Sequence, residues 1–341
     1  MTGAKRMRAA IYSSTGPAGE VLSIIDAVRP EPGAGEVRVR VAWSGVNPSD
    51  VKSRAGTRSK TLPFAQIVPH SDGSGVIDAV GEGVAPERMG ERVWIWNAAW
   101  GRADGTAAEW IALPSAQAVA LPDNVSLEIG ACFGIPALTA CHAVSVDGGV
   151  AGRTVLVAGG AGAVGHYAVQ MARLGGAKQV IATVSSEEKG AHARAAGADI
   201  VIDYRREDVA ARIKEITQGR GVDCIIEVDF AANAALDLDL LAPEGRIVVY
   251  GSGASDVSIP FVPAIVKNAR MSFFIVYNLS AADRAAAVQR LHGWLETGAL
   301  QHTIALRLPL DQIAQAHEAV ESGRVIGNVV LRVIEDEGSL S

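Results

Sequence analysis

Short strands separated by turns dominate the first 125 residues of the chain. The clearest pattern is Glu-Val-Arg-Val-Arg-Val at residues 36–41, where apolar and charged side chains alternate, as on a strand with one buried face. Further strands are predicted for residues 8–12, 21–25 and 75–80, with glycines, prolines and serines between them. Little of this region has helical spacing. The pattern therefore predicts an antiparallel β domain.

Strand and helix patterns alternate after residue 125. Helical spacing is seen over residues 187–196 and 206–217, between apolar runs that read as buried strands. The candidate strands are residues 154–158, 179–184, 200–203, 223–228 and 246–251. This alternation predicts a doubly wound parallel sheet.

The pattern changes again near the C-terminus of the chain. Residues 271–277 form a continuous apolar run that predicts a strand, and residues 281–296 predict a helix. Residues 305–308 and 329–333 predict strands that return to the first domain. The 271–277 strand is either a sheet edge that a partner covers or an internal strand buried on both faces.

Composition is typical of a globular enzyme. The 341 residues are 49% hydrophobic and 20% charged, with a formal net charge of −6, and no stripe of Lys and Arg indicates a nucleic-acid site. Cys132, Cys141 and Cys224 are scattered, which favours buried thiols in a reducing compartment. No apolar run is long enough for a membrane span, so we expect a cytoplasmic location, with residues 1–6 as a disordered leader.

A glycine-rich turn is the most informative stretch of the sequence. Gly160, Gly162 and Gly165 fit G-x-G-x-x-G directly after the apolar run at residues 155–158 and before a helical pattern. Such glycines allow a tight turn and a close approach of the backbone to a pyrophosphate, which the helix N-terminus attracts. The turn therefore predicts dinucleotide binding, with an ordinary glycine-rich turn as the alternative.

Six short motifs, in order along the chain, resemble those of a known family. They are Gly45-Val-Asn-Pro-Ser-Asp50, His70-Ser-Asp-Gly-Ser-Gly-Val76, Gly90-Glu-Arg-Val93, Gly134-Ile-Pro-Ala-Leu-Thr-Ala140, Gly159-Gly-Ala-Gly-Ala-Val-Gly165 and Ser322-Gly-Arg-Val-Ile-Gly327. Together they resemble the zinc-free quinone oxidoreductases, the zeta-crystallin type, of the medium-chain dehydrogenase/reductase superfamily. The resemblance spans nearly the whole chain.

This resemblance implies both a fold and an activity. The α/β fold would combine a GroES-like antiparallel β domain, residues 1–126 and 271–341, with a Rossmann NADPH-binding domain, residues 127–270, and the active site would lie in the cleft between them. The implied enzyme is an NADPH-dependent reductase that transfers hydride to quinones or α,β-unsaturated carbonyls without a metal. The resemblance also implies a homodimer or homotetramer, in which the 271–277 strand pairs antiparallel with its two-fold mate.

The expected absence of a metal rests on individual positions. Zinc-dependent relatives carry a Cys in the turn where this chain has Asn47, and a His-Glu pair where it has Ser71 and Asp72. Zn²⁺ binds thiolate and imidazole ligands, which a carboxamide and a hydroxyl do not replace. His70 stands where relatives usually have Gly, and we expect it to line the cleft or to have a structural role.

The segment after the second Rossmann strand favours NADPH over NADH. NAD-specific folds place an acidic residue there, whereas this chain has Ser185. Lys189 and Tyr204 match family positions that hold the adenosine 2′-phosphate, although Glu187 and Glu188 oppose it and a solvated Lys189 is the alternative. The positions expected to hold the cofactor are Asn47, Thr139, Gly160, Gly162, Ala163, Val164, Gly165, Ser185, Lys189, Tyr204, Gly251, Ser252 and Asn328.

Three residues are expected to act on the substrate. Asn47 would donate a hydrogen bond to the substrate oxygen, assisted by Lys52 or Asn278. Quinones and enones delocalise the negative charge that hydride transfer creates, so they need less electrophilic help than a simple ketone. The alternative for Asn47 is a residue that caps the following helix.

Two other functions stay open from the sequence. One is a reductase of activated acrylate or acyl-thioester double bonds. The other is an NADPH-binding structural or RNA-binding protein of the crystallin type, which the acidic pI of about 5.7 disfavours. A small-molecule substrate is therefore the expected partner, with no nucleic acid and no membrane.

Overall fold

The computed structural model describes residues 5–57 and 59–334. The strands of the described chain are β1 (Arg6–Ile11), β2 (Ser23–Val28), β3 (Glu36–Val46), β4 (Asp72–Val80), β5 (Arg92–Ile95), β6 (Trp110–Pro114), β7 (Ala118–Ala120), β8 (Thr154–Val157), β9 (Gln179–Val184), β10 (Ile200–Asp203), β11 (Val222–Glu227), β12 (Leu241–Val249), β13 (Arg270–Phe273), β14 (Ile304–Pro309) and β15 (Asn328–Arg332). The helices are α1 (Ala18–Val21), α2 (Pro48–Ala55), α3 (Leu127–Gly130), α4 (Leu138–Ser145), α5 (Ala163–Leu174), α6 (Glu187–Ala195), α7 (Val209–Ile216), α8 (Phe230–Leu240), α9 (Phe261–Val266), α10 (Ala281–Glu296) and α11 (Ile313–Glu321).

The first of two compact units contains the described residues up to 135 and from 302 to 334. Its main sheet has the strand order β14-β15-β3-β4-β5-β7, with β6 also paired to β3, and most of its pairs are antiparallel. The predicted alternation of residues 36–41 is only partly seen, because most of β3 is buried on both faces. Aliphatic side chains from β3, β4, β5 and β15 form its core. The antiparallel β domain predicted from the sequence is confirmed.

The second unit contains residues 136–301 and a six-stranded parallel sheet. Its strand order is β10-β9-β8-β11-β12-β13, so the order reverses between β8 and β11. In a doubly wound sheet, ligands bind beyond the carboxyl ends of the strands at such a reversal. The glycine-rich turn follows β8, which places it at this position. The predicted doubly wound parallel sheet is confirmed.

The unit boundaries differ from the predicted domain boundaries of 126/127 and 270/271. Residues 127–135 belong to the first unit because α3 packs against β3, β4 and β5. Residues 271–301 belong to the second unit because β13 pairs with β12 and α10 packs against α4. An apolar strand pattern cannot specify which sheet a strand joins.

Two further predictions about elements need correction. The strand predicted over residues 271–277 ends at Phe273, and residues 276–278 form a 3-10 turn instead. The leader predicted over residues 1–6 is too long, because β1 begins at Arg6, while residues 1–4 lie outside the described chain. The structure contains no described helix that is both long enough and apolar enough to cross a membrane.

Candidate cofactor site and active site

The glycine-rich turn needs its glycines for steric reasons. Gly159 has φ = +66°, a conformation that L side chains rarely adopt. A Cβ at Gly165 would lie 2.1 Å from the Gly159 carbonyl oxygen, and a Cβ at Gly160 would lie 2.6 Å from the Cβ of Ala182 on β9. The turn is therefore packed directly against the helix that follows it and against the neighbouring strand.

The N-terminus of α5 offers its backbone to a ligand. Gly162 is the N-cap residue, and no side chain caps the first N–H groups of the helix. Ala163 and Val164, the next two residues, are half-buried. Free helical N–H groups together with the helix dipole attract an anion. The described geometry thus fits the pyrophosphate of a dinucleotide.

Three polar residues follow the adjacent strands β9 and β10. Ser185 comes directly after β9, Lys189 lies in the first turn of α6, and Tyr204 comes directly after β10 with 52% of its surface exposed. Because β8, β9 and β10 are neighbouring parallel strands, their carboxyl ends share one edge of the sheet. The structure places these residues at the edge that carries the glycine-rich turn, where a 2′-phosphate needs donors and positive charge.

A cavity of about 250 Å³ lies in the second unit beside the glycine-rich turn. Its lining includes Gly159, Thr183, Tyr204, Glu227, Asn233 and Asp237. Glu227, Asn233 and Asp237 were not predicted from the sequence. Two features of the sequence could have indicated them: Glu227 ends the apolar strand β11, and Asp237 stands among the leucines of α8.

Gly251 and Ser252 follow β12 at the same edge of the sheet. A Cβ at Gly251 would lie 2.2 Å from the carbonyl oxygen of Val228, so only glycine fits there. The Ser252 hydroxyl donates to the Ala254 carbonyl at 2.7 Å. Thr139, the last of the expected cofactor residues in this unit, is buried on α4.

In the first unit, Asn47 and Asp72 form a buried hydrogen-bonded pair. Asn47 is the N-cap residue of α2, and its Nδ2 donates to Asp72 Oδ2 at 2.9 Å. The Ile135 N–H donates to the same oxygen at 3.0 Å. Burial, with a smaller contribution from the charge of Asp50, raises the pKa of Asp72 well above its usual value. The Asn47 amide is thus held in one orientation.

These residues do not fit a zinc site. The positions that bind zinc in zinc-dependent relatives carry a carboxamide, the Ser71 hydroxyl and a carboxylate that already accepts two N–H donors. Zn²⁺ requires several deprotonated sulfur, nitrogen or oxygen ligands in a tetrahedral arrangement. Within residues 5–57 and 59–334, no group of three His, Cys, Asp or Glu side chains is placed to hold a metal ion.

His70 belongs to a buried chain of hydrogen bonds instead. Its Nε2 lies 2.8 Å from Nε2 of His317, and its Nδ1 lies 2.8 Å from the Ser44 hydroxyl. The chain continues from Ser44 to Thr106 Oγ1 at 2.7 Å, and Thr106 donates to the backbone carbonyl of Asp72. His70 has φ = +78°, a left-handed backbone conformation that side-chain-bearing residues rarely adopt.

The donor and the acceptor of each hydrogen bond in this series follow from the number of protons that its groups carry. Because the only proton of Thr106 goes to a carbonyl, Ser44 must donate to Thr106, and His70 Nδ1 must then donate to Ser44. His317 Nε2 therefore carries a proton and donates to His70. Burial and the Arg54 charge lower the pKa of His317 to about 3, so it stays neutral. This assigns His70 a structural role, one of the two expected from the sequence.

The remaining expected site residues are Lys52, Asn278 and Asn328. Lys52 is exposed in the last turn of α2, and Asn278 is exposed in the 3-10 turn of the second unit. Asn328 lies at the start of β15, and both its backbone N–H and its Nδ2 donate to the Thr303 carbonyl. Val46 pairs with Val329, so Asn47 and Asn328 lie at the same end of this strand pair.

Comparisons with known proteins agree with the family resemblance. The family model of the alcohol dehydrogenase GroES-like domain matches residues 33–123, and that of zinc-binding dehydrogenases matches residues 163–293. A quinone oxidoreductase of Rattus norvegicus is 32% identical over 97% of this chain and 99% of its own length.

Solved structures give the same result. An NAD-dependent alcohol dehydrogenase superposes with a TM-score of 0.87 at 32% identity, covering 96% of this chain and all of that protein. A mycobacterial protein complexed with NADPH superposes with a TM-score of 0.84 at 29% identity over 96% of this chain and all of that protein.

Proposed function

Because this chain belongs to the quinone oxidoreductase family of the medium-chain dehydrogenase/reductase superfamily, we propose that it is an NADPH-dependent reductase that transfers hydride to quinones or α,β-unsaturated carbonyls without a metal. The observation that carries the proposal is the Asn47–Asp72 pair, which presents a hydrogen-bond donor where zinc-dependent relatives have their metal. The similarity to a quinone oxidoreductase over nearly the full length of both chains, at 32% identity, supports the substrate class.

The second unit provides the residues that would bind the cofactor. The glycine-rich turn and the uncapped N-terminus of α5 would hold the pyrophosphate, and Ser185, Lys189 and Tyr204 would hold the 2′-phosphate. When bound, NADPH supplies a hydride from its nicotinamide ring. Thr139, Gly251 and Ser252 of this unit remain predicted cofactor residues, as do Asn47 and Asn328 of the first unit.

Asn47 would stabilise the charge that develops on the substrate. Hydride addition to a quinone or enone carbon places negative charge on the conjugated oxygen, where a fixed N–H donor lowers the energy of the transition state. Asp72 accepts one hydrogen of Asn47 Nδ2, which leaves the second for the substrate oxygen. Solvent would then deliver the proton. Lys52 and Asn278 remain predicted to assist.

Conjugation of the substrate determines whether one amide donor can stabilise the charge that hydride transfer creates. One neutral amide supplies less stabilisation than a metal ion, so a simple ketone or alcohol, whose oxygen would carry a localised charge, should react poorly. A delocalised quinone or enone needs less help. The same residues therefore favour reduction of conjugated acceptors over alcohol oxidation.

Steady-state oxidation of NADPH with a panel of acceptors tests this proposal. We expect turnover with 1,2-naphthoquinone and with enones, and none with primary or secondary alcohols plus NADP⁺. Acrylate-type esters and acyl-thioesters belong in the same panel, since the alternative function predicts preference for them. Robust alcohol oxidation, as the name of one similar structure suggests, would contradict the proposed function.

A further inference from the structure

The turn after β11 borders the cavity beside the glycine-rich turn. Val228 and Asp229 form this turn, and both line the cavity together with Thr183 and Tyr204. A Cβ at Gly159 would lie 3.4 Å from Val228 Cγ1, so Val228 also lies next to the glycine-rich turn. The position of this turn therefore determines the shape of the candidate cofactor pocket.

The carboxylate of Glu227 helps to hold the turn in place. Glu227, the last residue of β11, accepts the Asp229 N–H at 2.5 Å and the Asn233 Nδ2 at 3.1 Å through Oε1. Asp229 in turn accepts the Gly253 N–H at 2.7 Å. Glu227 is only 1% exposed, and its hydrogen bonds connect the end of β11 to the first turn of α8.

A second buried carboxyl group lines the same cavity as Glu227. Asp237 on α8 is 2% exposed and lies one helical turn after Asn233, which donates to Glu227. Glu227 Oε2 and Asp237 Oδ2 are both buried and have no hydrogen-bond partner among the described residues. Two ionised carboxylates are acceptors only, so a proton shared between them would give both oxygens a partner. Such a proton would also remove the repulsion between two buried negative charges.

We propose that Asp237 is a positioning residue for the cofactor. Asp237 shares a proton with Glu227, and Glu227 then holds the Val228–Asp229 turn against the adenosine half of the dinucleotide. Asp237 need not touch the cofactor. The proposal rests on the proposed function only in that the cavity receives a dinucleotide. NADPH and NADH share the adenosine, so both should depend on Asp237 equally.

Burial and neighbouring charges set the pH range over which the Glu227–Asp237 pair keeps its shared proton. Desolvation and the Glu227 charge raise the pKa of Asp237 to about 9, and burial also raises the pKa of Glu227. The titratable groups that interact with Glu227 are Asp229, two residues further on, and Tyr250, directly after β12. Burial and the charge of Glu227 raise the pKa of Tyr250. Tyr204 after β10 lines the same cavity, while α7 contributes the apolar Val209.

Above about pH 9 the pair therefore loses its shared proton. Two buried negative charges then repel each other, and Glu227 no longer keeps a fixed position. The turn should loosen, and affinity for both cofactors should fall as the pH rises from 8 to 10.

Three variants of the full-length protein test this inference by fluorescence titration with NADPH and NADH. Asp237→Leu removes the proton donor and is expected to raise both dissociation constants about tenfold at pH 7.5. Asp237→Asn supplies a permanent N–H donor, so near-wild-type affinity and a flatter profile between pH 8 and 10 are expected. Lys189→Ala is the matched comparison, because its effect should be confined to NADPH.

Hydrogen exchange without cofactor gives a second readout at fixed pH 7.5. The amides of residues 228–233 should exchange faster in Asp237→Leu than in the wild type, while those of β8 and β9 should not change. Unchanged exchange would overturn the positioning role even if the protein failed to prefer NADPH. The positioning role would also be overturned if the cofactor affinity of Asp237→Asn fell between pH 8 and 10 as much as that of the wild type. This test remains decisive if Asp237→Leu does not fold.

Discussion

At the scale of a single residue, Asn47 has two tasks. It is the N-cap residue of α2, and its side chain carries the proposed hydrogen-bond donor to the substrate. Replacing it with alanine is expected to lower kcat by about tenfold to a hundredfold, less than the loss of a dedicated oxyanion-hole donor. The loss should appear in kcat rather than KM, because the bond strengthens as charge develops on the substrate oxygen. Steady-state kinetics with a quinone gives both values.

Asn47→Ser separates the two tasks of this residue. Serine remains a good N-cap residue but lacks the amide, so this variant should be more stable than the alanine variant and lose as much kcat as alanine does. Full turnover in both variants would exclude Asn47 from the chemistry while leaving the fold assignment intact.

Lys189 should decide the choice between the two nicotinamide cofactors. Its charge pairs with the 2′-phosphate, and a charge-assisted hydrogen bond contributes about 1.5–3 kcal/mol, or about one to two decades in affinity. Lys189→Ala should weaken NADPH binding by that factor and leave NADH unchanged. Lys178→Ala, which removes an exposed lysine elsewhere in the unit, is the control. Equal wild-type affinity for both cofactors would contradict the assignment.

The buried histidine pair predicts how stability depends on pH. The unfolded chain binds a proton at His317 near pH 6.5, whereas burial lowers the pKa in the folded chain to about 3. Stability is therefore complete above about pH 6.5 and falls below it, by about 1.4 kcal/mol per pH unit for this one group. The pKa of His70 is lowered in the same direction, by burial and by His317.

Urea unfolding of the His317→Gln variant measures this contribution. The glutamine amide still donates to His70, but it binds no proton in the unfolded chain. The stability difference between variant and wild type should therefore shift by about 1.4 kcal/mol per pH unit below pH 6. Parallel stability curves would show that His317 is already charged in the folded protein.

At the scale of elements, the exposed edge of the parallel sheet predicts a dimer. β13 is the edge strand, and Phe273 on it is 60% exposed, whereas Phe274 packs against His142 with ring centroids 4.6 Å apart. Helix α9 also exposes apolar side chains, including Phe261 at 71% and Val266 at 75%. A bare edge beside an apolar patch promotes association, and a second copy of this chain would cover both.

Light scattering at micromolar concentration checks the dimer. The wild type is expected at twice the chain mass of 35.4 kDa or a higher even multiple, and Phe261→Glu with Val266→Glu is expected to be monomeric. Leu174→Glu, at an exposed apolar residue that ends α5, should keep the wild-type mass. A monomeric wild type would refute pairing through this edge.

For the whole molecule, the prediction is activity without a metal. The Asn47 amide and the Asp72 carboxyl group are hydrogen-bonded to each other, and the proposed reaction uses no metal, so chelation should remove nothing that it needs. Quinone reduction should survive prolonged treatment with a chelator, and elemental analysis should find less than stoichiometric zinc. Loss of activity that added zinc restores would reverse this conclusion.

The whole fold was predicted more completely than its sites. Both sheets and the G-x-G-x-x-G turn follow from local patterns, because apolar periodicity and glycine conformations depend on neighbours along the chain. The predicted boundary at residue 270 differs from the compact units of the structure, because β13 pairs with β12. Glu227 and Asp237 were missed because a single acidic residue in an apolar segment gives no sign of its partner.

The sequence alone determined the fold class, the family and the turn that would bind the pyrophosphate, since each depends on residues adjacent in the chain. Tertiary structure decided which polar groups meet. Asn47 and Asp72 are 25 residues apart, and His70 and His317 are 247 apart. Strand register and helix packing bring such pairs together, and burial then sets their protonation, because a buried charge without a partner costs more free energy than a shared or missing proton.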